Sequence, residues 1–155
     1  MGKLIERKNI EKLINGIHSE GKTAVTTNGC FDILHVGHVR YLQETKKFGD
    51  YLIVLLNSDD SVKKIKGDNR PINSELDRAE ILNALTCVDY VVIFNEESPR
   101  NLLSEIKPDV HTKGADYTTE TLPEADVILK NGGKLKFINF VEGKSTTNII
   151  NAIQG

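Results

Sequence analysis

An open, mostly parallel five-stranded α/β sheet with helices on both faces is the fold this sequence predicts. Three observations predict it. Short apolar stretches alternate with stretches of helical period along nearly the whole chain. One of them, Tyr51-Leu52-Ile53-Val54-Leu55-Leu56-Asn57, is an almost continuous apolar run, as a parallel strand covered on both faces requires. Glycine and proline signals, such as Gly21, Gly49-Asp50, Pro108 and Asn131-Gly132-Gly133, fall between these stretches and end them.

Residues 8–20 read as the first helix, because Ile10, Leu13, Ile14 and Ile17 recur at helical spacing and Gly21 suits the position just past its end. A strand over roughly 23–28 follows, and Gly29 breaks it. After a short loop, His35-Val36-Gly37-His38 opens a second helix with Val39, Leu42 and the stem of Tyr41 on its apolar side. With the strand at 51–57 this makes a βαβ unit, which should be right-handed. Ser58-Asp59-Asp60 caps another helix or turn. Residues 63–71 read as a basic loop, carrying Lys63, Lys64, Lys66 and Arg70, because Gly67 and Pro71 interrupt it. Asn73 or Ser74 starts the next helix, with Asp77 as a capping partner and Leu76, Ile81, Leu82 and Leu85 as its apolar positions.

Tyr90–Phe94 is the third strand, and Ser98-Pro99 opens a helix with Ser at the cap and Pro at its first position. Residues 110–113 form a fourth strand, short and partly polar. Residues 119–130 read as a poorly amphipathic helix containing Pro123. Leu135, Phe137 and Ile138 mark the last strand, and Ser145 caps a helix over 148–153. The alternation implies a Rossmann-like order, in which ligands bind beyond the carboxyl ends of the strands.

Two places on that edge have the chemistry for phosphate. His35 and His38 stand three apart at the first turn of a helix, so they share a face. That turn also offers unpaired backbone N–H groups and the positive end of the helix dipole. Imidazole donates to phosphate oxygens and, when protonated, offsets charge developing in a transition state. Gly37 leaves no side chain between the rings. The second place is Ser145-Thr146-Thr147, three hydroxyl residues at another helix start. The basic residues before Pro71 read as a flap that brings positive charge over a triphosphate, and the cation Arg78 sits in a helix's first turn, against the dipole.

Composition narrows the class. A chain of 155 residues with 39% hydrophobic residues is enough for one packed domain, taken as an N-terminal helix (1–21) and a core (22–155). Net charge is −2 and no basic run supports a nucleic-acid face. Cys30 and Cys87 show no paired or zinc spacing, which points to a reducing compartment. Residues 1–7 lack the apolar core of a signal peptide, and no apolar run approaches membrane length, so the expectation is a cytoplasmic protein with no membrane contact.

Gly29-Cys30-Phe31-Asp32-Ile33-Leu34-His35-Val36-Gly37-His38 resembles the GxFD-x-x-H-x-G-H signature of the nucleotidyltransferase superfamily. Asn57-Ser58-Asp59, the Lys66-Gly67-x-x-Arg70-Pro71 run, Lys113-Gly114-Ala115-Asp116-Tyr117 and Glu142-Gly143-Lys144-Ser145-Thr146-Thr147 follow in that superfamily's order. Within it, Lys113 to Tyr117, Asn131-Gly132-Gly133, Asn139-Phe140 and Ser145-Thr146-Thr147-Asn148-Ile149-Ile150 are similar to the free-standing heptose 1-phosphate adenylyltransferases. Glycerol-3-phosphate cytidylyltransferases are the competing group, but Val36, Phe140 and Val141 depart from their pattern.

The resemblance implies an enzyme that joins ATP to D-glycero-β-D-manno-heptose 1-phosphate and releases pyrophosphate. The alternatives are CDP-glycerol synthesis and, without catalysis, a nucleotide-binding sensor. It implies His35, His38 and Lys66 as catalytic residues, with His38 nearest the α-phosphate. Asn28, Gly29, Cys30, Phe31, Asp32, Gly37, Lys113, Gly114, Asp116, Phe140, Ser145, Thr146 and Thr147 would hold the nucleotide, and Asp59, Arg78 and Arg100 the acceptor. Mg²⁺ is expected with the triphosphate, its protein ligand unassigned. Asp32 is the obvious carboxylate, and it equally suits orienting the loop. Family tendency and the apolar positions of the first helix suggest a homo-oligomer.

Overall fold

The computed structural model describes residues 2–139 and 145–154. In chain order its elements are β1 (Lys3–Leu4), α1 (Ile10–Ser19), β2 (Ala24–Gly29), α2 (Val36–Lys46), β3 (Tyr51–Asn57), α3 (Asp59–Lys66), α4 (Glu75–Asn83), β4 (Tyr90–Phe94), α5 (Arg100–Ile106), β5 (Val110–Gly114), α6 (Ala125–Lys130), β6 (Lys134–Ile138) and α7 (Thr146–Gln154). The six strands form one sheet in the order β1-β4-β3-β2-β5-β6, and every neighbouring pair is parallel. From β2 the chain winds outward through β3 to β4, then crosses to the other side of β2 at β5. The carboxyl ends of β2 and β5 therefore border the crevice where such sheets take ligands.

β3 shows why its sequence is almost wholly apolar. Ile53 and Leu55 pack with Ile10, Ile14, Ile17, Leu103 and Ile106 of α1 and α5 on one face. Leu52, Val54 and Leu56 pack with Leu42, Ala79 and Leu82 of α2 and α4 on the other. The apolar positions of α1 are thus spent inside the chain, which removes them as the argument for an oligomer. Buried hydroxyls line the seam where β2 pairs with β5. Thr27 and Thr112 share a network with Thr45 and the Tyr41 hydroxyl, and Thr26 meets His111 Nδ1 at 2.7 Å. These pairings let a polar strand lie inside a parallel sheet. Among the described residues no helix is long and apolar enough to cross a membrane.

Five expectations need correction. The sheet has six strands, because β1 adds an edge strand of two residues held by backbone bonds alone, such as Ile5 N–H to Val91 O at 2.8 Å. Residues 63–66 are helical: the Ser58 hydroxyl caps α3 by accepting from Ser61 N–H, acids fill its first turn and lysines its last, and Gly67 (φ 98°) ends it. α5 begins at Arg100 with Pro99 at its cap position, one residue later than expected. Residues 119–124 are turns, and helix is confined to α6. In α4 the core side is Arg78, Ala79 and Leu82, while Leu76 and Ile81 are 62% and 42% exposed.

That last difference predicts a contrast. The Ser74 hydroxyl accepts from Asp77 N–H at 3.2 Å, so Ser74→Ala should cost about 1 kcal/mol. Leu76→Glu should stay within about 0.5 kcal/mol of wild type. Urea denaturation of the two variants checks both values, and a larger loss for Leu76→Glu would mean that this face is covered in solution.

Candidate active site

The crevice opens into a cavity of about 640 Å³. Its first wall is the turn that the sequence singled out. His35 caps α2: its Nδ1 accepts from Gly37 N–H at 3.1 Å, and His38 Nδ1 accepts from His35 N–H at 3.2 Å. The rings lie 3.9 Å apart between centroids. Each Nδ1 lone pair is engaged by a backbone donor, so the neutral tautomer carries its proton on Nε2. Of the two roles open to an imidazole, donor or cation, His38 fits the donor. Burial and the neighbouring His35 push its pKa down to about 4, so it stands at neutral pH as an N–H donor and not as a cation.

The sign of the linked stability follows. Between its ordinary value of 6.5 and about 4, the unfolded chain takes the proton more readily than the folded one. The His38 contribution is complete above pH 6.5 and is lost as pH falls towards 4. An NMR titration of the His38 ring should have its midpoint near 4. Wild type should also lose more stability than His38→Gln on going from neutral pH to about 5. A ring midpoint near 6.5 would contradict this.

The loop before α2 is packed to hold this turn. Phe31 adopts a left-handed backbone (φ 46°) and is 7% exposed. A Cβ on Gly29 would stand 3.0 Å from the Phe31 ring, so glycine there keeps the ring seated. That ring in turn lies 5.5 Å from His38.

Asp32 is 2% exposed and fully engaged. It accepts from Arg70 Nε at 2.7 Å and from the N–H groups of Ile72 and Asn73 at 2.9 Å. Burial alone would raise its pKa, but those donors outweigh it and hold the carboxyl below its usual range. It lines the cavity and orients the loop, the second of the two roles expected of it. Among the described residues no group of three or more His, Cys, Asp or Glu is placed to hold a metal ion.

Three further expected pieces converge on the cavity. Lys66 reaches it from the last turn of α3. The loop after it is pinned to Asp32 by Arg70, Ile72 and Asn73, which replaces the free flap. Lys113 and Gly114 enter from the end of β5, with the Lys113 ammonium 5.4 Å from the Tyr117 ring centroid. Burial pushes the Lys113 pKa down, and Glu124 and Asp116 oppose that. Ser145, Thr146 and Thr147 bring the start of α7 to the same space. Ser145 Oγ accepts from Asn148 N–H, and the Thr146 hydroxyl donates to Ile33 O at 2.9 Å, joining the second hydroxyl turn to the first motif loop. Asn28, Cys30 and Gly37 complete the expected lining.

Four expected residues are elsewhere. Arg78 is fully buried, and its guanidinium donates to Asn73 O, Cys30 O, Asn57 O and Asp59 Oδ1 at 2.7–3.0 Å. Arg78 and Asp59 therefore brace the ends of β2 and β3 and do not face a ligand. Arg100 is held by Asp126 and by Pro123 O on the surface of α6. Asp116 is exposed beyond β5 and does not line the cavity. Phe140 lies outside the described residues.

Other cavity residues had no sequence assignment. Tyr41 read only as an apolar helix position. Ser98 and Pro99 read only as a helix start, and Glu97 carried no reading. Tyr117 closes the Lys113–Tyr117 motif without a role of its own, Glu124 sits in the segment misread as helix, and Arg70 was one cation in a basic loop. Glu124 is 3% exposed, with His111 Nε2 3.4 Å away. Burial raises the Glu124 pKa, but His111 and Lys113 more than offset it, while burial lowers that of His111.

Comparison with known proteins agrees with this geometry. Residues 26–151 match the cytidylyltransferase-like family model. The chain is 54% identical over 152 residues to the bifunctional protein HldE of Campylobacter fetus subsp. fetus, covering 97% of this chain and 32% of that protein. It is 55% identical over 145 residues to HldE of Aliarcobacter butzleri, covering 94% and 30%. The chain thus spans about a third of the length of the curated relatives it matches. Among solved structures, the lipopolysaccharide core biosynthesis protein of Thermoplasma volcanium is similar, with a TM-score of 0.63 and 34% identity over 80% of this chain and 100% of that one.

Proposed function

The chain belongs to the cytidylyltransferase-like family of nucleotidyltransferases, and from that membership we propose that it transfers the adenylyl group of ATP to D-glycero-β-D-manno-heptose 1-phosphate. The products are ADP-heptose and pyrophosphate. The observation that carries this reading is that the first turns of α2 and α7 and the Lys66 side chain meet in one cavity. Two helix starts rich in donors and a lysine with no ion pair among the described residues suit a polyphosphate. The heptose assignment is supported by the Lys113-Gly114-Ala115-Asp116-Tyr117 and Ser145-to-Ile150 resemblance and by similarity to HldE.

An oxygen of the acceptor phosphate attacks the α-phosphorus and forms the new P–O bond. The bond from the α-phosphorus to the bridging oxygen breaks, and pyrophosphate leaves. No covalent bond to protein is needed, so positioning and charge stabilisation supply the rate. The Nε2–H groups of His35 and His38 donate to phosphate oxygens as charge moves onto the leaving group. Lys66 offsets charge on the polyphosphate. The Thr147 hydroxyl and first-turn N–H groups of α7 hold its far end. A bound Mg²⁺ would add charge neutralisation at the triphosphate beside that supplied by Lys66.

The test is pyrophosphate release, crossing ATP and CTP against heptose 1-phosphate and glycerol 3-phosphate, with and without Mg²⁺. Release is expected only with ATP, the heptose phosphate and Mg²⁺ together. Release from CTP and glycerol 3-phosphate would replace the adenylyl reading with the cytidylyl one. No release from any pair, with ATP still bound, would favour a nucleotide sensor.

A further inference from the structure

Arg70 stands in the same cavity with a geometry unlike that of Lys66. Its side chain is 13% exposed and that of Asp32, its partner, is fully buried. Arg70 Nε donates to Asp32 Oδ2 at 2.7 Å, while the same carboxylate accepts from Ile72 and Asn73 N–H. One buried anion therefore fixes both the backbone around Pro71 and the plane of the guanidinium. With Nε engaged, Nη1 and Nη2 make no hydrogen bond among the described residues, although Arg70 lines the cavity. A guanidinium held by Nε and open along its Nη edge is a preorganised fork for two oxygens of a phosphate.

This fork and the two hydroxyl- and histidine-bearing helix starts reach the cavity on different connections. His35 and His38 belong to the connection between β2 and β3, and the start of α7 is tied to Ile33 in that same connection. Arg70 belongs to the connection between β3 and β4, as Lys66 does, and it enters the cavity beside the motif loop, held there by Asp32. Two anions must meet in this cavity, and the attacking phosphate is repelled by the nucleotide it attacks. A fixed cation on the acceptor side offsets that repulsion and sets the direction of the nucleophilic oxygen.

We infer that Arg70 is the clamp for the acceptor's phosphate monoester, with its Nη edge taking two phosphate oxygens and Asp32 acting as the positioning residue that sets its angle. This rests on nucleotidyl transfer as the reaction of the cavity.

The first test is two-substrate kinetics on Arg70→Lys, which keeps a cation beside Asp32 and loses the fork. The KM for heptose 1-phosphate should rise at least about tenfold while that for ATP stays within about twofold. A rise confined to ATP would assign Arg70 to the nucleotide and overturn the inference, and no change in either would also overturn it. The second test does not need the correct acceptor. Binding of inorganic phosphate is measured by calorimetry with a non-hydrolysable ATP analogue already bound. Wild type should bind phosphate, and Arg70→Lys should bind at least about tenfold more weakly. Equal affinity would overturn the clamp even if heptose 1-phosphate proved to be the wrong acceptor. Melting curves establish that the variant is folded. If it is not, guanidinium ion added to Arg70→Ala should restore acceptor binding, and failure of rescue in a folded Arg70→Ala counts against the clamp.

Discussion

Replacing His38 with alanine is expected to lower kcat roughly a hundred- to a thousand-fold, the loss typical of removing one preorganised donor to developing charge. Three features of the turn make this the largest catalytic effect. His38 lines the cavity at a helix start, its Nδ1 is occupied by the His35 N–H, and its ring is held near neutral pH as a donor. Nothing has to reorganise when charge moves, which is where such groups act most strongly. KM for the nucleotide should change little if the contact strengthens only in the transition state. The structural loss is small, since only one capping acceptor goes, worth about 1 kcal/mol. His38→Asn, which can retain both an acceptor and a donor, should recover part of the rate. With the rings 3.9 Å apart and sharing a capping network, the double variant with His35→Ala should lose less than the product of the single losses. Near-full turnover in a folded His38→Ala would remove this turn from the mechanism.

The parts of this site that were legible in the sequence are those set by local chemistry. A strand, a glycine break and two histidines three apart specify a donor-bearing helix start without reference to the rest of the chain, and that start lines the cavity. Ser145 was legible as a cap for the same reason, and its hydroxyl and carbonyl oxygens accept from the N–H groups of Asn148 and Ile149. The β3 run announced its two-sided burial because no soluble alternative explains seven such residues.

What was hidden depends on long-range pairing. Asp32 reads as an available carboxylate, and only the fold brings Arg70, Ile72 and Asn73 to it from some forty residues away. The 63–66 stretch was misassigned because Gly67 and Pro71 were allowed to outweigh a capped, charge-complemented turn ahead of them. β1 has no sequence signal at all, since two residues on a sheet edge bury nothing. The α4 pattern misled in a different way. Its helical period is sound, but the core takes Arg78 where an apolar residue would be expected, so the stripe was rotated towards Leu76 and Ile81.

Arg78 carries the second large prediction, and it concerns stability. A cation in the first turn of a helix opposes the dipole, yet here it points away from that turn and into the ends of two strands. Its guanidinium satisfies the carbonyls of Cys30, Asn57 and Asn73 and the carboxylate of Asp59 from a position with no exposure. The β2 and β3 carbonyls at this edge have run out of strand partners, so a planar group with several donors is what the edge requires. Arg78→Met keeps the stem and removes every donor. It leaves buried acceptors unpaired, and a loss of about 3–5 kcal/mol is expected in urea denaturation. Arg78→Lys should recover less than half of that, because a single ammonium cannot address four acceptors spread around a plane. Since Cys30 belongs to the motif loop, both variants should also weaken nucleotide binding in proportion to the stability lost. The contrary result is clear-cut. If Arg78→Lys melted like wild type while its acceptor KM rose sharply, Arg78 would be a phosphate ligand after all, and the bracing role derived from its four contacts would be wrong.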